Sequence, residues 1–335
     1  MKALLIGGTG LISTGIVEHL AARGAGITML NRGQRENTLQ ANVVAISGDR
    51  NDAVALAKVA DEGKFDVVID MICFAPAQAQ ATIAAFAGKC TQFIFCSTVC
   101  TYSVKLPPGV LVDETFPQEP ISDYGRNKLA CEKLFLAAHR EGKFATTIIR
   151  PSCTYGPGNS LIDNLEFDPP TWDRIEKGLP VLCAGDGLAL RQATHRDDVG
   201  KLFAYASLNK TTYGQSYNAT CDAVFTWRDY YREAAAALGR EAKLLFMPAQ
   251  WIVNQDPKRF GDALGEIFAF HGAYTSAKAK RDVPEFACEI GFVEGAKQTL
   301  ADVRRRNAWK CNDGDALMES MVAVALALGL KPVIA

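Results

Sequence analysis

Excess charge is what this chain lacks first: 36 Lys and Arg stand against 37 Asp and Glu, a formal net charge of −1. A surface so nearly neutral offers no strong field, which argues against bulk binding to nucleic acid or to an anionic membrane. Histidines number only four, and no pair of them stands near cysteine at zinc-ligand spacing. The ten cysteines contain no C-x-x-C, and most lie in apolar runs where a thiol packs as a small hydrophobe. Both absences predict a metal-free protein of a reducing, cytoplasmic setting. No apolar run is long enough to span a bilayer, the longest being residues 321–330. The first twenty residues are apolar but hold four glycines and only Lys2 as a basic group, so they do not read as a secretory leader. Internal repeats and low-complexity tracts are absent as well.

What is present has the composition of an ordinary globular protein, 48% hydrophobic and 22% charged, with length for one large or two smaller domains. The first half alternates short β-rich runs (3–6, 27–30, 43–47, 66–70, 92–96, 146–149) with helical segments (11–23, 53–62, 76–87, 122–140). Arg150-Pro151 is expected to end the last of these strands. Such alternation predicts an α/β fold, a doubly wound parallel sheet with helices on both faces. After Pro151 the texture changes to dense Pro and Gly, as in Gly156-Pro157-Gly158 and Gly185-Asp186-Gly187. The expected division is a dinucleotide-binding part over 1–155, with a returning segment near 190–220. A smaller C-terminal substrate lobe, interleaved with it, covers 156–335. Beyond Ala242 the pattern gives helices and no site.

Two motifs carry chemistry. Gly7, Gly10 and Ser13 repeat at three-residue spacing directly after the apolar run Ala3-Leu4-Leu5-Ile6. Gly7 allows a tight turn, Gly10 lets backbone approach a pyrophosphate, and the helix that follows aims its first amides at that charge. An acid at the end of the second strand would bind the ribose of NAD; Asn31-Arg32-Gly33-Gln34-Arg35 stands there instead. Two guanidiniums within reach lean towards NADP, although an Arg there equally stacks on adenine or faces solvent. Asp49 is placed either to accept from the adenine amino group or to serve as a cap or turn residue.

The second motif is Tyr124-x-x-x-Lys128, which stacks a phenol and an ammonium on one helix face. Upstream, the strand over 92–96 delivers Ser97-Thr98 at its C-terminal end, the edge where open α/β sheets gather catalytic residues. The ammonium is expected to favour phenolate at Tyr124, and Thr98 to share a hydrogen bond with the same substrate oxygen. Such a set suits removal of an alcohol proton while hydride leaves the same carbon for a nicotinamide.

These motifs, with Arg150-Pro151-Ser152-Cys153-Thr154-Tyr155-Gly156-Pro157 and Gly185-Asp186-Gly187…Arg191…His195-Arg196-Asp197-Asp198-Val199, resemble the extended short-chain dehydrogenase/reductases of the NAD-dependent epimerase/dehydratase group. The resemblance covers about residues 1 to 220. It implies a Rossmann-like sheet, bound NAD(P) and a sugar or sugar-nucleotide substrate, handled by an epimerase or a dehydrogenase. Thr98, Tyr124 and Lys128 are implied to be catalytic, with Lys128 also on the nicotinamide ribose. The cofactor is implied to touch Gly7, Thr9, Gly10, Leu11 and Ile12 in the first turn, and Asn31, Arg32 and Arg35 after the second strand. Asp49, Arg50, Met71, Cys73, Ser97 and Pro151 complete that set. Cys100, Tyr155, Arg191 and His195 are implied to face the substrate, Arg191 at a phosphate unless it pairs with an acid such as Asp186.

Asp70-Met71-Ile72-Cys73-Phe74 departs from the His-Leu-Ala-Ala run common in the group. Val99-Cys100 replaces the Asp-Glu that sugar dehydratases carry after the catalytic Thr, which argues against loss of water. Asn31-Arg32-Gly33 and Phe167…Trp172-Asp173 resemble the branch of chloroplast stem-loop RNA-binding proteins. RNA binding, with the basic cluster Arg304-Arg305-Arg306…Lys310, is therefore the alternative reading. The family also implies a homodimer through the helices 76–87 and 122–140, the second offering Leu129, Leu134, Phe135 and Leu136.

Overall fold

The computed structural model describes residues 1–33, 43–102 and 109–335. Ala3, Leu4, Leu5 and Ile6 are fully buried. A strand apolar on both faces belongs inside a sheet covered on both sides, and β1 (Lys2–Ile6) sits there. Beside it run β2 (Gly26–Asn31), β3 (Val43–Ser47), β4 (Val67–Asp70), β5 (Gln92–Cys96) and β6 (Ala145–Pro151). Four short strands then leave this sheet: β7 (Cys153–Tyr155), β8 (Val181–Ala184), β9 (Leu190–Arg191) and β10 (Ala193–His195). The chain returns to it with β11 (Gln215–Ala219), giving a seven-stranded sheet of order β11-β6-β5-β4-β1-β2-β3. Every pairing in it is parallel. This is the Rossmann-like architecture, and the order reverses at β1 and β4, where the loops part and leave a crevice at the carboxyl ends of the strands.

Alternate side chains of these strands feed two cores. On one face α1 (Leu11–Ala22) lays Ile16 and Leu20 against the sheet, with Val17 at the border of the same cluster. On the other face lie α2 (Ala53–Gly63), α3 (Pro76–Phe86) and α4 (Asp123–Arg140), contributing Leu56, Phe86 and Phe135. Phe135 stacks on Phe93 with ring centroids 4.5 Å apart and is fully buried. It is therefore core and not part of an outward dimer face. The six-residue α5 (Thr171–Glu176) belongs to the second lobe, and α6 (Arg196–Ala206) crosses back to pack on α1. A Cβ on Gly200 would stand 2.4 Å from the Gly15 carbonyl carbon, so this crossing needs glycine.

Pro151 does not end β6 early. It is the strand's last residue, opposite Ala219, and the next amide, that of Ser152, donates to the Ala219 carbonyl at 3.2 Å. A residue without N–H is tolerated at that terminal position. The second lobe holds its own aromatic core around Trp172, Trp227, Tyr230, Tyr231 and Phe292. It also holds strands beyond residue 242 where only helices were expected. After β12 (Phe225–Thr226), which pairs with β9, come β13 (Lys243–Met247), parallel to β8, and β14 (Val333–Ile334). Among the described residues no helix is long and apolar enough to cross a membrane.

Candidate cofactor and active site

The glycine turn lies at the strand-order reversal. Gly7 has φ +86°, and a Cβ there would come within 2.6 Å of Ile72. Ser13, buried at the third position of the repeat, donates its hydroxyl to the Gly7 carbonyl at 2.8 Å and so pins the turn to the helix. Gly10 is the N-cap of α1, with no side-chain cap and no acid in the first turn. The first amides of α1 are thus left for an anion. The turn that leads into the helix, with Gly7, Thr9 and Gly10, walls a cavity of about 370 Å³ together with Asn31, Arg32, Asp49 and Arg50. A glycine cradle that a Cβ would fill, an uncapped helix start and a cavity of this size fit a dinucleotide.

Not every expected cofactor residue faces this space. Arg32 is exposed on the wall, whereas Arg35 lies outside the described residues. Asp49 lines the cavity but also holds a turn, accepting from the Asn51 amide at 2.9 Å. Arg50 is buried and ion-paired with Asp70 at 2.5 Å, and it also donates to Thr82 at 3.0 Å. Among the described residues its Nε and Nη1 have no hydrogen-bond partner. After β4 the chain bends at Met71, and Ile72 and Phe74 line the cavity while Met71 and Cys73 do not. Cys73 is fully buried, its Sγ 3.9 Å from that of Cys131. Leu11, Ile12 and Pro151 sit at the ends of their elements and are likewise not among the lining residues. Asn51, Ile72, Phe74 and Gln78 also line the cavity and were not foreseen.

β5 delivers Thr98 as the cap of a one-turn helix, Val99–Thr101, where its hydroxyl accepts from the Cys100 amide at 3.2 Å. Ser122 caps α4 by accepting from Gly125 at 3.0 Å. A Cβ on Gly125 would be 2.2 Å from the Cys100 carbonyl, so only glycine lets α4 begin against this loop. That approach sets Tyr124 beside Thr98, whose hydroxyl is near enough to favour the phenolate. Lys128 is buried, donating to the Cys73 carbonyl at 2.9 Å and the Cys96 carbonyl at 2.8 Å. Its Nζ stands 5.9 Å from the Tyr124 ring centroid.

Tyr124 is 42% exposed, and partial desolvation together with the neighbouring Cys100 and Cys96 thiols pushes its phenol above the ordinary value, with Thr98 offsetting only part. The ammonium is engaged by two carbonyls and makes no hydrogen bond to the phenol. Ser97 turns away from the site and donates to buried Glu132 at 2.5 Å. Glu132 in turn accepts both arms of Arg150, at 2.9 and 2.7 Å, and Arg150 donates to Tyr102 at 2.7 Å. This buried chain ties the ends of β5 and β6 to α4 and so fixes Thr98 relative to Tyr124. Its members carry no local signal, because each is an ordinary polar residue until its distant partner is known.

Of the expected substrate residues, Cys100 and Arg191 line one narrow cleft beside Thr98, with Val99 and Ser122. Burial pushes the Cys100 thiol up. Arg191 does not pair with Asp186; its guanidinium stacks over Phe268 and Trp227, 4.6 and 5.2 Å from their centroids. Tyr155 and His195 lie outside this cleft, buried edge-on against each other with centroids 5.4 Å apart. His195 caps α6, its Nδ1 accepting from the Asp197 amide at 3.3 Å, and burial pushes its pKa down. The basic cluster is neutralised locally. Arg304 pairs with Glu176, Arg305 and Arg306 with Asp302, and Lys310 with Asp168.

A family model described as the NAD dependent epimerase/dehydratase family matches residues 3–219. The 2'-dehydrokanamycin reductase of Streptomyces kanamyceticus is 28% identical over 255 residues, 76% of this chain and 72% of that protein. Among solved structures, UDP-glucose 4-epimerase of Thermotoga maritima with UDP-glucose superposes with a TM-score of 0.74 at 20% identity, covering 92% of this chain and all of that one. The Thermus thermophilus UDP-glucose 4-epimerase in complex with NAD gives 0.71 at 22% identity, over 91% of this chain and 99% of that one.

Proposed function

The chain belongs to the NAD dependent epimerase/dehydratase family, and from that premise we propose that it transfers hydride between NAD(P) and a carbinol of a sugar or sugar derivative. The observation that carries this reading is the placement of Tyr124, Thr98 and Lys128 at the carboxyl end of β5, next to a glycine-turn cavity of dinucleotide size. The relatives agree in kind: one is a reductase of a dehydro-aminoglycoside and others are sugar-nucleotide epimerases.

The first amides of α1 and the Gly7 turn would hold the pyrophosphate, with Arg32 at the adenosine end. Bound oxidised nicotinamide would supply a hydride acceptor and a positive charge beside the phenol. Tyr124 then takes the proton of the substrate hydroxyl, and Thr98 holds the same oxygen through a hydrogen bond. Lys128 supports the site from below, keeping the segments after β4 and β5 at fixed separation through their carbonyls. If the substrate turns over before hydride returns, the outcome is epimerisation; if the ketone leaves, it is dehydrogenation.

Loss of water would need a further acid at the substrate. Val99 has no ionisable atom and the buried Cys100 thiol is a poor donor. The test is turnover of NAD+ and NADP+ with a panel of sugar nucleotides and aminoglycosides, read by reduced-cofactor absorbance and product mass. Tyr124→Phe should lower turnover by about two to four orders of magnitude while leaving cofactor affinity unchanged. Products should keep the substrate mass or change it by two hydrogens. Near-normal turnover in the variant, or a product lighter by one water, sinks the reading.

A further inference from the structure

Two thiols flank Lys128. Its ammonium donates to the Cys73 carbonyl at 2.9 Å, and Cys131 follows it by three residues on the buried face of α4. The Cys73 and Cys131 sulfurs stand 3.9 Å apart, and both thiols are free. Cys73 belongs to the segment 71–75, which is neither helix nor strand. Side chains hold that segment. Asp70 accepts from the Ile72 amide at 3.1 Å, and Gln78 accepts from the Phe74 and Ala75 amides at 2.7 and 3.2 Å. Phe74, next after Cys73, places its ring centroid 4.6 Å from the Lys128 Nζ. The thiol pair therefore bridges the segment that carries Phe74 and the helix that carries Tyr124 and Lys128. The two sulfurs are not equivalent. Cys73 donates its S–H to Cys131, which favours the Cys131 thiolate; the Lys128 and Arg50 cations add to this, and burial and Asp70 oppose it. The net direction is down for Cys131, while the hydrogen bond to Cys131 and burial push Cys73 up. A thiolate-prone sulfur beside a protonated one is the arrangement of a nucleophilic and a resolving cysteine.

We propose that Cys73 and Cys131 form a reversible disulfide that fixes Phe74 over Lys128 and so closes the cofactor side of the site. Both sulfurs are fully buried, so the oxidant has to be close to water in size and enters when the segment 71–75 opens. Hydrogen peroxide meets that condition. The Cys131 thiolate attacks one peroxide oxygen; an S–O bond forms, the O–O bond breaks, and the leaving hydroxide takes up the proton that Cys131 released. The Cys73 sulfur then displaces the hydroxyl of the sulfenic acid; the S–S bond forms, the S–O bond breaks, and the Cys73 proton leaves with the hydroxyl as a second water. Two thiols and one peroxide thus give one disulfide and two waters. The sulfurs have to approach by about 2 Å to reach bonding distance, a shift that an irregular segment supplies more readily than a helix. Where thiols are kept reduced, such a bond forms transiently and acts as a sensor. This proposal rests on the reading that Lys128 and the glycine-turn cavity serve NAD(P).

The test compares the full chain kept in dithiothreitol with the same protein treated with hydrogen peroxide and then freed of it. Non-reducing peptide mapping should show the peptides holding Cys73 and Cys131 joined, and dithiothreitol should part them again. NAD(P) affinity, read by calorimetry, should fall about tenfold or more in the crosslinked form, as expected when the binding-competent state becomes a minor one. It should recover on reduction, and saturating NAD(P) should slow the crosslinking. Cys131→Ala and Cys73→Ala should each keep their NAD(P) affinity through peroxide treatment, so either variant serves if the other fails to fold. Absence of the Cys73–Cys131 link under conditions that oxidise the exposed Cys311 overturns the proposal while the sugar-oxidoreductase reading stands. So does a link that leaves NAD(P) affinity unchanged, or a loss of affinity that persists in both variants. A reduced protein that binds neither NAD nor NADP overturns both. Near-normal turnover in Tyr124→Phe, with the crosslink and its effect on NAD(P) intact, overturns only that reading.

Discussion

The Phe74 ring lies over the Lys128 ammonium, its centroid 4.6 Å from Nζ. Phe74 is 47% exposed and lines the cofactor cavity, while Lys128 is 1% exposed. One half-exposed aromatic therefore stands between the buried lysine and the cavity.

Removing that ring should uncover the lysine. In Phe74→Ala, reductive methylation of Lys128 is expected to speed up about tenfold, in line with a cation–π contact of roughly 0.5–2 kcal/mol plus lost shielding. Saturating NAD(P) should slow it again. Peptide mass mapping reads both effects, and an unchanged rate would show that Phe74 does not screen Lys128. Lys128→Met should instead lower the melting temperature as well as activity and cofactor affinity. It strips the donor from two carbonyls, each worth about 1–3 kcal/mol when left unpaired in the interior.

Cofactor choice should follow Arg32. No acid stands at the end of β2, and Asn31 uses its Oδ1 to accept from the Gly33 amide at 2.9 Å. If the Arg32 guanidinium grips a 2'-phosphate, NADP binds more tightly than NAD and Arg32→Ala closes most of the gap. The loss is about 1.5–3 kcal/mol, or about ten- to hundredfold in affinity. Equal affinities in the unmodified protein would leave the arginine stacking on adenine or facing solvent.

Stability should fall across the mildly acidic range because of Asp163. Burial, with Glu166 nearby, pushes this carboxyl up to about 7, although Leu165, Glu166 and Thr171 all donate to it. The folded pKa lies above the ordinary value of about 3.9, so the fold prefers the protonated acid. Its contribution is complete below about pH 4 and is lost as pH rises through about 7. Asp163→Asn should flatten melting temperature against pH over that window and exceed the wild type above it. Parallel curves for the two proteins would contradict the assignment.

The strands of the large sheet, the glycine turn and the Tyr124–Lys128 spacing could be read from the chain because each is a local pattern. Apolar runs four or five residues long, a period of 3.6 and a glycine after a strand need no knowledge of distant residues. Tertiary structure decided what those patterns do. It set Ile72 and Phe74, not Met71 and Cys73, on the cavity wall, since which side faces in depends on how the chain bends as it leaves β4. It sent Ser97 to Glu132 and Arg150 to both Glu132 and Tyr102, pairings across 18 to 48 residues. It set Tyr124 beside Thr98 and the Cys100 and Cys96 thiols, while Lys128 spends its hydrogen bonds on two carbonyls. And it brought Glu266, from a segment with no motif, to the same cleft as Arg191. Local propensity is written along the chain; burial and charge pairing are properties of residues that meet only after it has folded.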